Sequence, residues 1–411
     1  MKIFDFKKEK IFLENNIRSI DEIYQAINFI LENFAQDLPK NKDALIVLKP
    51  NLNNDLNALT GNSTDLRLIV ALVKNLKQRG YRNIIIGDGP NVGINFSGLD
   101  VFLRLRIKKL SELLRISFVD FNKAESKIIT LTKNKKAKVA KILFDCDYLI
   151  NLPKIKTHIE AAMTLASKNL IGCLTGMEKR KMHSNLISNI VRINEVIKPN
   201  LHIVDGLIAM EGDGPATGTP VAMNLIVAGK SSFLVDAFCA QISGFNPMEI
   251  SYLKIAREKG FLTGQEFAKL KKVPMIKTLK KPNHYLLAKI FLHNFFVYIR
   301  YWPIFDWLVK RKWVGDLIFK LHIRQDIYKD KESEIKKLAK KNQCFDCHFC
   351  EKYCPMGLKI NEDNFNFSQD RCLHCLYCYL VCPKDNIKID GRLGYLSEHV
   401  QRFGKFFKKL K

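Results

Sequence analysis

The chain has 411 residues, 47% hydrophobic and 26% charged, and 67 Lys and Arg against 41 Asp and Glu give a formal net charge of +26. That length implies two or three domains, and the composition is that of a globular protein able to bury a large core. The basic excess runs along the whole sequence with no nucleic-acid motif and no aromatic-basic platform, so it reads as a general surface bias and no specific nucleic-acid partner is expected.

Met1 to Lys10 is charged and no apolar signal segment follows, which predicts a cytoplasmic protein with reduced thiols. Ser19-Ile20-Asp21-Glu22 is a capping box, and Ile23, Ile27, Ile30 and Phe34 continue one apolar face, so a helix is predicted over about Asp21 to Gln36. Ala44 to Leu48 reads as a strand, Thr64 as the cap of a helix from Asp65 to Arg79 that Gly80 ends, and Asn83 to Ile86 as the next strand. Further strands are predicted at Ser117 to Phe121, Tyr148 to Leu152, His202 to Val204 and Asn224 to Ala228. Helices are predicted around Leu99 to Leu114, Ser184 to Ile197 and Ser231 to Ser243, and a hairpin insertion at Lys127 to Leu131 and Lys138 to Leu143. Such alternation predicts an α/β domain over 1–260 with a mainly parallel sheet and flanking helices.

In such sheets ligands bind beyond the carboxyl ends of the strands. The Gly87-Asp88-Gly89 turn there is not a dinucleotide fingerprint, and no Walker sequence is present. Lys154, Lys156 and His158 follow the strand ending at Leu152 at alternate positions, so an extended chain turns all three side chains the same way. Two ammonium groups can hold a carboxylate or phosphate while His158 passes a proton near neutral pH; three solvated residues on a basic protein explain the pattern equally well. Lys168 and Gly172 can be a helix C-terminus with an αL glycine cap. Asp205, Glu211 and Asp213 can balance the lysines, act as acid or base, or bind a hard metal, and solvated carboxylates in a glycine-rich turn explain them equally well.

Residues 261–341 form an aromatic-rich, helical connector. Between 285 and 313, Phe295, Phe296, Trp302, Trp307 and Trp313 crowd together, but Lys289, Arg300, Asp306 and Pro303 interrupt the run, so it does not read as a transmembrane helix. Helices bracing the last domain are the favoured reading; peripheral contact at the inner face of a membrane is the other, helped by the basic tail 392–411.

Cys344, Cys347, Cys350 and Cys354-Pro355 are followed by Cys372, Cys375, Cys378 and Cys382-Pro383, two copies of one C-x2-C-x2-C-x3-C-P pattern. Thiolates at that spacing suit two [4Fe-4S] clusters, with the fourth Cys of each run serving the other cluster. One set is then Cys344, Cys347, Cys350 and Cys382, the other Cys372, Cys375, Cys378 and Cys354, in a small α+β ferredoxin-like domain over 342–391. Zinc is disfavoured, because zinc ribbons need paired CxxC units and not two four-Cys runs closing in Cys-Pro. Cys146, Cys173 and Cys239 lie outside the pattern and read as small buried hydrophobes, with Cys173 the one to test for reactivity.

The ordered motifs K-P-N, P-K-x-K-T-H, K-N-L-x-G, V-D-G, M-E-G-x-G-P and V-D-A over residues 44 to 260 resemble the family catalogued as domain of unknown function 362, members of which often carry a fused two-cluster ferredoxin. The resemblance singles out Lys49, Asn51, Lys154, Lys156, His158, Lys168, Asn169, Gly172, His183, Asp205, Glu211, Gly212, Gly214, Pro215 and Asp236, and it favours a functional Lys154–His158 segment. The expected protein is an iron-sulfur oxidoreductase in which Lys154 and Lys156 clamp a small anionic substrate, His158 moves the proton and Glu211 or Asp205 is a second acid–base group. A non-catalytic electron carrier that docks an acidic redox partner protein is the competing expectation.

Overall fold

The computed structural model describes residues 1–7, 9–91, 99–282, 332–341, 344, 347–360 and 371–410. Among them run the strands β1 (Lys2–Asp5), β2 (Lys10–Glu14), β3 (Ile46–Pro50), β4 (Ile84–Asp88), β5 (Ser117–Asp120), β6 (Ser126–Thr130), β7 (Lys136–Ala140), β8 (Tyr148–Leu152), β9 (Lys154–His158), β10 (Ala162–Thr164), β11 (Leu201–Glu211) and β12 (Thr219–Gly229). The main sheet has the order β1-β2-β12-β11-β8-β3-β4-β5. From β11 to β5 every neighbouring pair is parallel, whereas β12, β2 and β1 pair antiparallel at the other edge. The predicted α/β class with a mainly parallel centre is therefore the observed one, and the N-terminal hairpin β1–β2 extends it beyond what the charged first residues suggest.

Strand residues alternate between two cores because successive side chains point to opposite faces. Ile46, Leu48, Tyr148, Ile150 and Leu152 enter one core, and Val47 and Leu149 enter the other. The first core lies under α1 (Ile20–Asn33) and α2 (Leu66–Gln78), and the second packs on the helix Ser232–Ile242. Ser19 and Glu22 make the predicted capping box of α1. α2 is capped by Asp65, not Thr64, whose hydroxyl instead donates to Leu152 O and accepts from Asn51 N. The expected single helix over Leu99 to Leu114 is two, Val101–Arg104 and Ile107–Leu114, because Arg106 between them takes a left-handed φ of 64°. The hairpin insertion is β6–β7; its second arm stops at Ala140, and Leu143 lies in a short helix, Ile142–Asp145.

At the other end of the chain β13 (Glu334–Lys340) pairs antiparallel with β14 (Ile387–Arg392), around the helices Phe349–Tyr353 and Tyr377–Val381. Residues 334–340 thus belong to the C-terminal module, and the boundary drawn at 342 moves upstream. The basic tail is not a free end: Leu396–Phe407 is a helix that buries Leu396, His399, Phe403 and Phe407. The aromatic segment 285–313 lies outside the described residues, and among the described residues no helix is long and apolar enough to cross a membrane.

The module packs on the first core face. Arg104 is buried between Asp55 at 2.6 Å and Glu332 at 2.8 Å, with its guanidinium over the Tyr395 ring. Arg67, paired with Asp65 at 2.8 Å, lies over the Tyr353 ring. Stacking on an aromatic face while holding a carboxylate is what a planar guanidinium does better than an ammonium.

Candidate anion site and cysteine centres

The carboxyl ends of β3, β4 and β8 bring Lys49, Asp88 and Asn151 to one end of the sheet, and Asp205 lies midway along β11, beyond its pairing with β8. Pro153 ends β8, and the chain continues as β9, which pairs with β11 and β10. Lys154, Lys156 and His158 thus do lie at alternate strand positions, but all are buried, which removes the reading as solvated surface residues.

Most carboxylates here already have a cation. Lys154 Nζ donates to Asp205 Oδ2 at 2.8 Å, and the same oxygen accepts from Asp65 N at 2.6 Å. Asp205 is therefore the counter-ion that fixes Lys154. Lys49 Nζ donates to Asp88 Oδ1 at 2.7 Å, while Asp88 Oδ2 accepts from Leu52 N. Asp88 was passed over in the sequence because only its glycine neighbours drew attention.

Lys156 and Lys168 differ from these. Lys156 Nζ donates only to neutral oxygens, Asn51 Oδ1 at 3.0 Å and Asn62 O at 2.8 Å. Burial, with Lys168 and Lys154 nearby, holds its amine well below the usual lysine range. Lys168 makes no hydrogen bond or ion pair with a described residue, and burial lowers it to about 8 against the field of Glu160. Burying an ammonium without a carboxylate partner is costly, which is why these amines are held low.

A chain of amides fixes this geometry. Asn51 Nδ2 donates to Asn169 Oδ1 at 2.8 Å, Asn169 Nδ2 to Asn151 Oδ1 at 2.7 Å, and Asn151 Nδ2 meets His202 Nδ1 at 3.0 Å. The turn Ala166–Asn169 that carries Lys168 is held by Asp236, which accepts from Ala166 N, Ser167 N and the Tyr252 hydroxyl. Gly172 is not an αL cap, since its φ is not positive; a Cβ there would stand 2.3 Å from Asp88 Oδ1 and 2.9 Å from Lys49 Nζ, so the glycine admits the ion pair. The loop after β11 closes over β9: Thr157 Oγ1 donates to Gly212 O at 2.7 Å, and a Cβ on Gly214 would meet Thr157 O.

His158 Nδ1 accepts from Glu160 N at 3.0 Å and Ala161 N at 3.3 Å, which leaves the proton on Nε2. Burial and the charge of Lys168 hold the ring well below the usual histidine range, so its Nε2–H is a hydrogen-bond donor at neutral pH. The ionisable pair is elsewhere. Glu160 Oε2 lies 3.0 Å from His183 Nδ1, and this hydrogen bond and charge outweigh burial to hold the Glu160 carboxyl far below its usual range. His183 came from the family pattern; Glu160 had no sequence signal beyond its place two residues after His158. Glu211 accepts from Lys280 N at 2.9 Å, and this bond braces the end of β11.

The two cysteine runs fold into one module. Cys354, Cys372, Cys375 and Cys378 line a single cavity with Pro355, Leu376 and Tyr377. Backbone N–H groups point at the sulfurs: Leu358 N donates to Cys354 Sγ and His374 N to Cys372 Sγ, both at 3.4 Å. Asn386 joins the ends of the other set, donating from Nδ2 to Cys344 Sγ at 3.4 Å and from N to Cys382 Sγ at 3.2 Å. All eight cysteines are free thiols. Cys173, the cysteine expected to repay a reactivity test, is fully buried and its thiol is pushed up to about 12, so it is an inert core residue; Cys239 is likewise buried and raised, and burial pushes the partly covered Cys146 up to about 11.

The chain is 32% identical over 217 residues to a thylakoid-associated protein of Synechocystis, a match covering 50% of this chain and 64% of that protein, so less than two thirds of that relative is spanned. A 66-residue stretch is 36% identical to pyruvate synthase subunit PorD of Thermotoga maritima, covering 16% of this chain and 67% of the subunit. Among solved structures, the lactate racemase apoprotein from Thermoanaerobacterium thermosaccharolyticum aligns with a TM-score of 0.38 at 14% identity, over 56% of this chain and 57% of that one. Residues 46–241, which hold the lysines, the amide chain and the Glu160–His183 pair, match the family described as a domain of unknown function, DUF362, and this part of the chain is a DUF362 domain.

Proposed function

We propose that the DUF362 domain binds a small carboxylate or phosphate between Lys156, Lys168 and the His158 Nε2–H, and that the protein is an oxidoreductase exchanging electrons with that ligand. The observation that carries this reading is the buried amine of Lys156 beside the half-buried amine of Lys168, neither hydrogen-bonded to a carboxylate: an anion would supply the missing charge, and both would take up protons as it bound. Lys168 and the Glu160–His183 pair are the groups able to move a proton at the bound ligand, because Lys168 titrates near neutral pH and His183 is oriented by a carboxylate. Lys154 and Asp205 keep the scaffold fixed.

The redox half of the proposal rests on the cysteines. Two [4Fe-4S] clusters would be held by Cys354, Cys372, Cys375 and Cys378 and by Cys344, Cys347, Cys350 and Cys382. Four thiols round one cavity with N–H donors on their sulfurs suit such a group, and Asn386 ties Cys344 to Cys382 across the two runs. Similarity to a pyruvate synthase subunit supports a redox role for this module. When bound, the clusters supply single electrons; the chain's own residues seat the anion, exclude water and hold the proton.

Titration calorimetry of the full chain with inorganic phosphate, acetate and pyruvate tests the binding step. At least one should bind, and Lys156→Met should weaken it at least tenfold without loss of thermal stability, since the variant also removes an unpaired buried amine. Equal affinity in Lys156→Met, or no binding by any of the three, contradicts the anion site and leaves an electron carrier that docks a protein partner.

A further inference from the structure

The segment from Asn51 to Asp65 is almost wholly buried although it is rich in Asn, Ser, Thr and Asp, and its two faces touch different halves of the molecule. On one face Asn51 Oδ1 and Asn62 O receive the Lys156 ammonium. On the other, Asn57 Nδ2 donates to Cys375 O at 3.1 Å, and Leu66 N, at the end of the segment, donates to the Tyr377 hydroxyl at 3.4 Å. Arg106 Nε adds a contact to His374 O at 3.2 Å. Cys375 and Tyr377 also border a second cavity whose remaining wall includes Leu52, Asn57, Thr64 and Leu66.

The path from there to the lysines is short. Leu66 follows Asp65, whose N–H donates to Asp205 Oδ2, the oxygen that holds Lys154. Adding one peptide step, the Tyr377 oxygen lies within roughly 13 Å of the Lys154 ammonium. The other cysteine set is the more exposed: Cys344, Cys347 and Cys382 are half-exposed and only Cys350 is buried, whereas in the first set only Cys375 is half-exposed, and the hydrogen bonds to Cys344 and Cys382 come from Asn386 within the C-terminal module.

Resting on the redox reading above, we propose that the two cysteine sets have different stations. Cys354, Cys372, Cys375 and Cys378 hold the inner electron carrier, coupled to the Lys156 site through residues 51–66, and Cys344, Cys347, Cys350 and Cys382 hold the outer one, which meets external redox partners. Electron tunnelling falls off exponentially with distance, so only the inner set is placed to exchange with a ligand in the sheet, and the order along the path follows from the contacts of Asn57 and Tyr377. Asn57 is a positioning residue, since it touches the Cys375 backbone and no reacting atom.

An anaerobic redox titration of the reconstituted full chain, followed by electron paramagnetic resonance, tests this without turnover. Asn57→Asp keeps the cap that the Asn57 side chain gives Leu59 N but places a negative charge at Cys375, and it should shift one reduction wave to lower potential. Asn386→Ala removes the donors' side-chain contact to Cys344 and should shift the other wave. Arg106→Gln, which removes a positive charge beside His374, should move the same wave as Asn57→Asp and serves if that variant does not fold. Inorganic phosphate should move that wave too. If Asn57→Asp and Asn386→Ala move the same wave, or each moves both equally, the order is wrong. Phosphate that binds yet shifts only the Asn386-sensitive wave also overturns it. Phosphate that does not bind contradicts the anion site alone, and the two substitutions still sort the stations.

Discussion

At the level of single residues, the site is defined by which buried charges are matched. Lys49, Lys154 and Arg67 each pair with a carboxylate, whereas Lys156 donates only to neutral oxygens and Lys168 feels Glu160 without a hydrogen bond to it. The consequence for pH is direct. Lys168 titrates at about 8 in the free protein, so it is charged below that value and an anion meets a full ammonium; above it the site must first be protonated. Affinity should fall as pH rises, by up to roughly tenfold per pH unit for each lysine that must be recharged, and more steeply above about pH 8, where Lys168 is uncharged in the free protein. Calorimetry across that rise in pH, repeated in buffers of different ionisation heat, should also show proton uptake on binding; a pH-independent affinity and no uptake would contradict it. Sequence spacing identified Lys154, Lys156 and His158 but could not rank them, because the ranking depends on partners from other strands. Asp205 sits 51 positions from Lys154, and no local pattern reveals that it neutralises that lysine and not Lys156. For the same reason the spacing could not show that His158 Nδ1 accepts from two backbone N–H groups, those of Glu160 and Ala161.

At the level of elements, strands with continuous apolar runs were legible and polar ones were not. Tyr148 to Leu152 is legible to the residue, since a doubly covered parallel strand is an apolar run, here broken only by Asn151. The next strand, β9, reads KIKTH and passed as a loop, because its polar side chains are buried in the site and not in either core. β11 runs on to 211 past Asp205-Gly206, and β12 begins at 219 with Thr219-Pro220, polar, glycine and proline residues that a periodicity argument discards. Glycines gain meaning only from what stands opposite them. Gly172→Ala should cost about 1–3 kcal/mol by thermal or denaturant unfolding, because the added methyl meets the Lys49–Asp88 pair and neither partner can withdraw from the buried site. An unchanged midpoint would show that the turn Leu170–Cys173 yields, and that the close approach is not what requires glycine.

At the level of the whole molecule, the two modules share an apolar core and are joined by buried charged residues, Arg67 and Arg104, that stack on Tyr353 and Tyr395. The cysteine spacing announced the C-terminal module plainly, but not that β13, upstream of the first cysteine, completes its sheet, nor that the tail helix packs back on it. Anaerobic reconstitution followed by iron and acid-labile sulfide analysis should give about eight of each per chain. Zinc in their place would remove the redox half of the account. The central claim, that electrons held by the C-terminal cysteines reach an anion held by Lys156 and Lys168, is tested most directly by one comparison. The protein is reduced anaerobically, mixed with small carboxylates and phosphates that bind it, and its reoxidation followed by absorbance in wild type and Lys168→Ala. The account predicts reoxidation that depends on the anion and is lost in Lys168→Ala while cluster content is unchanged. Reoxidation by a protein partner alone, equal in both proteins, would contradict it.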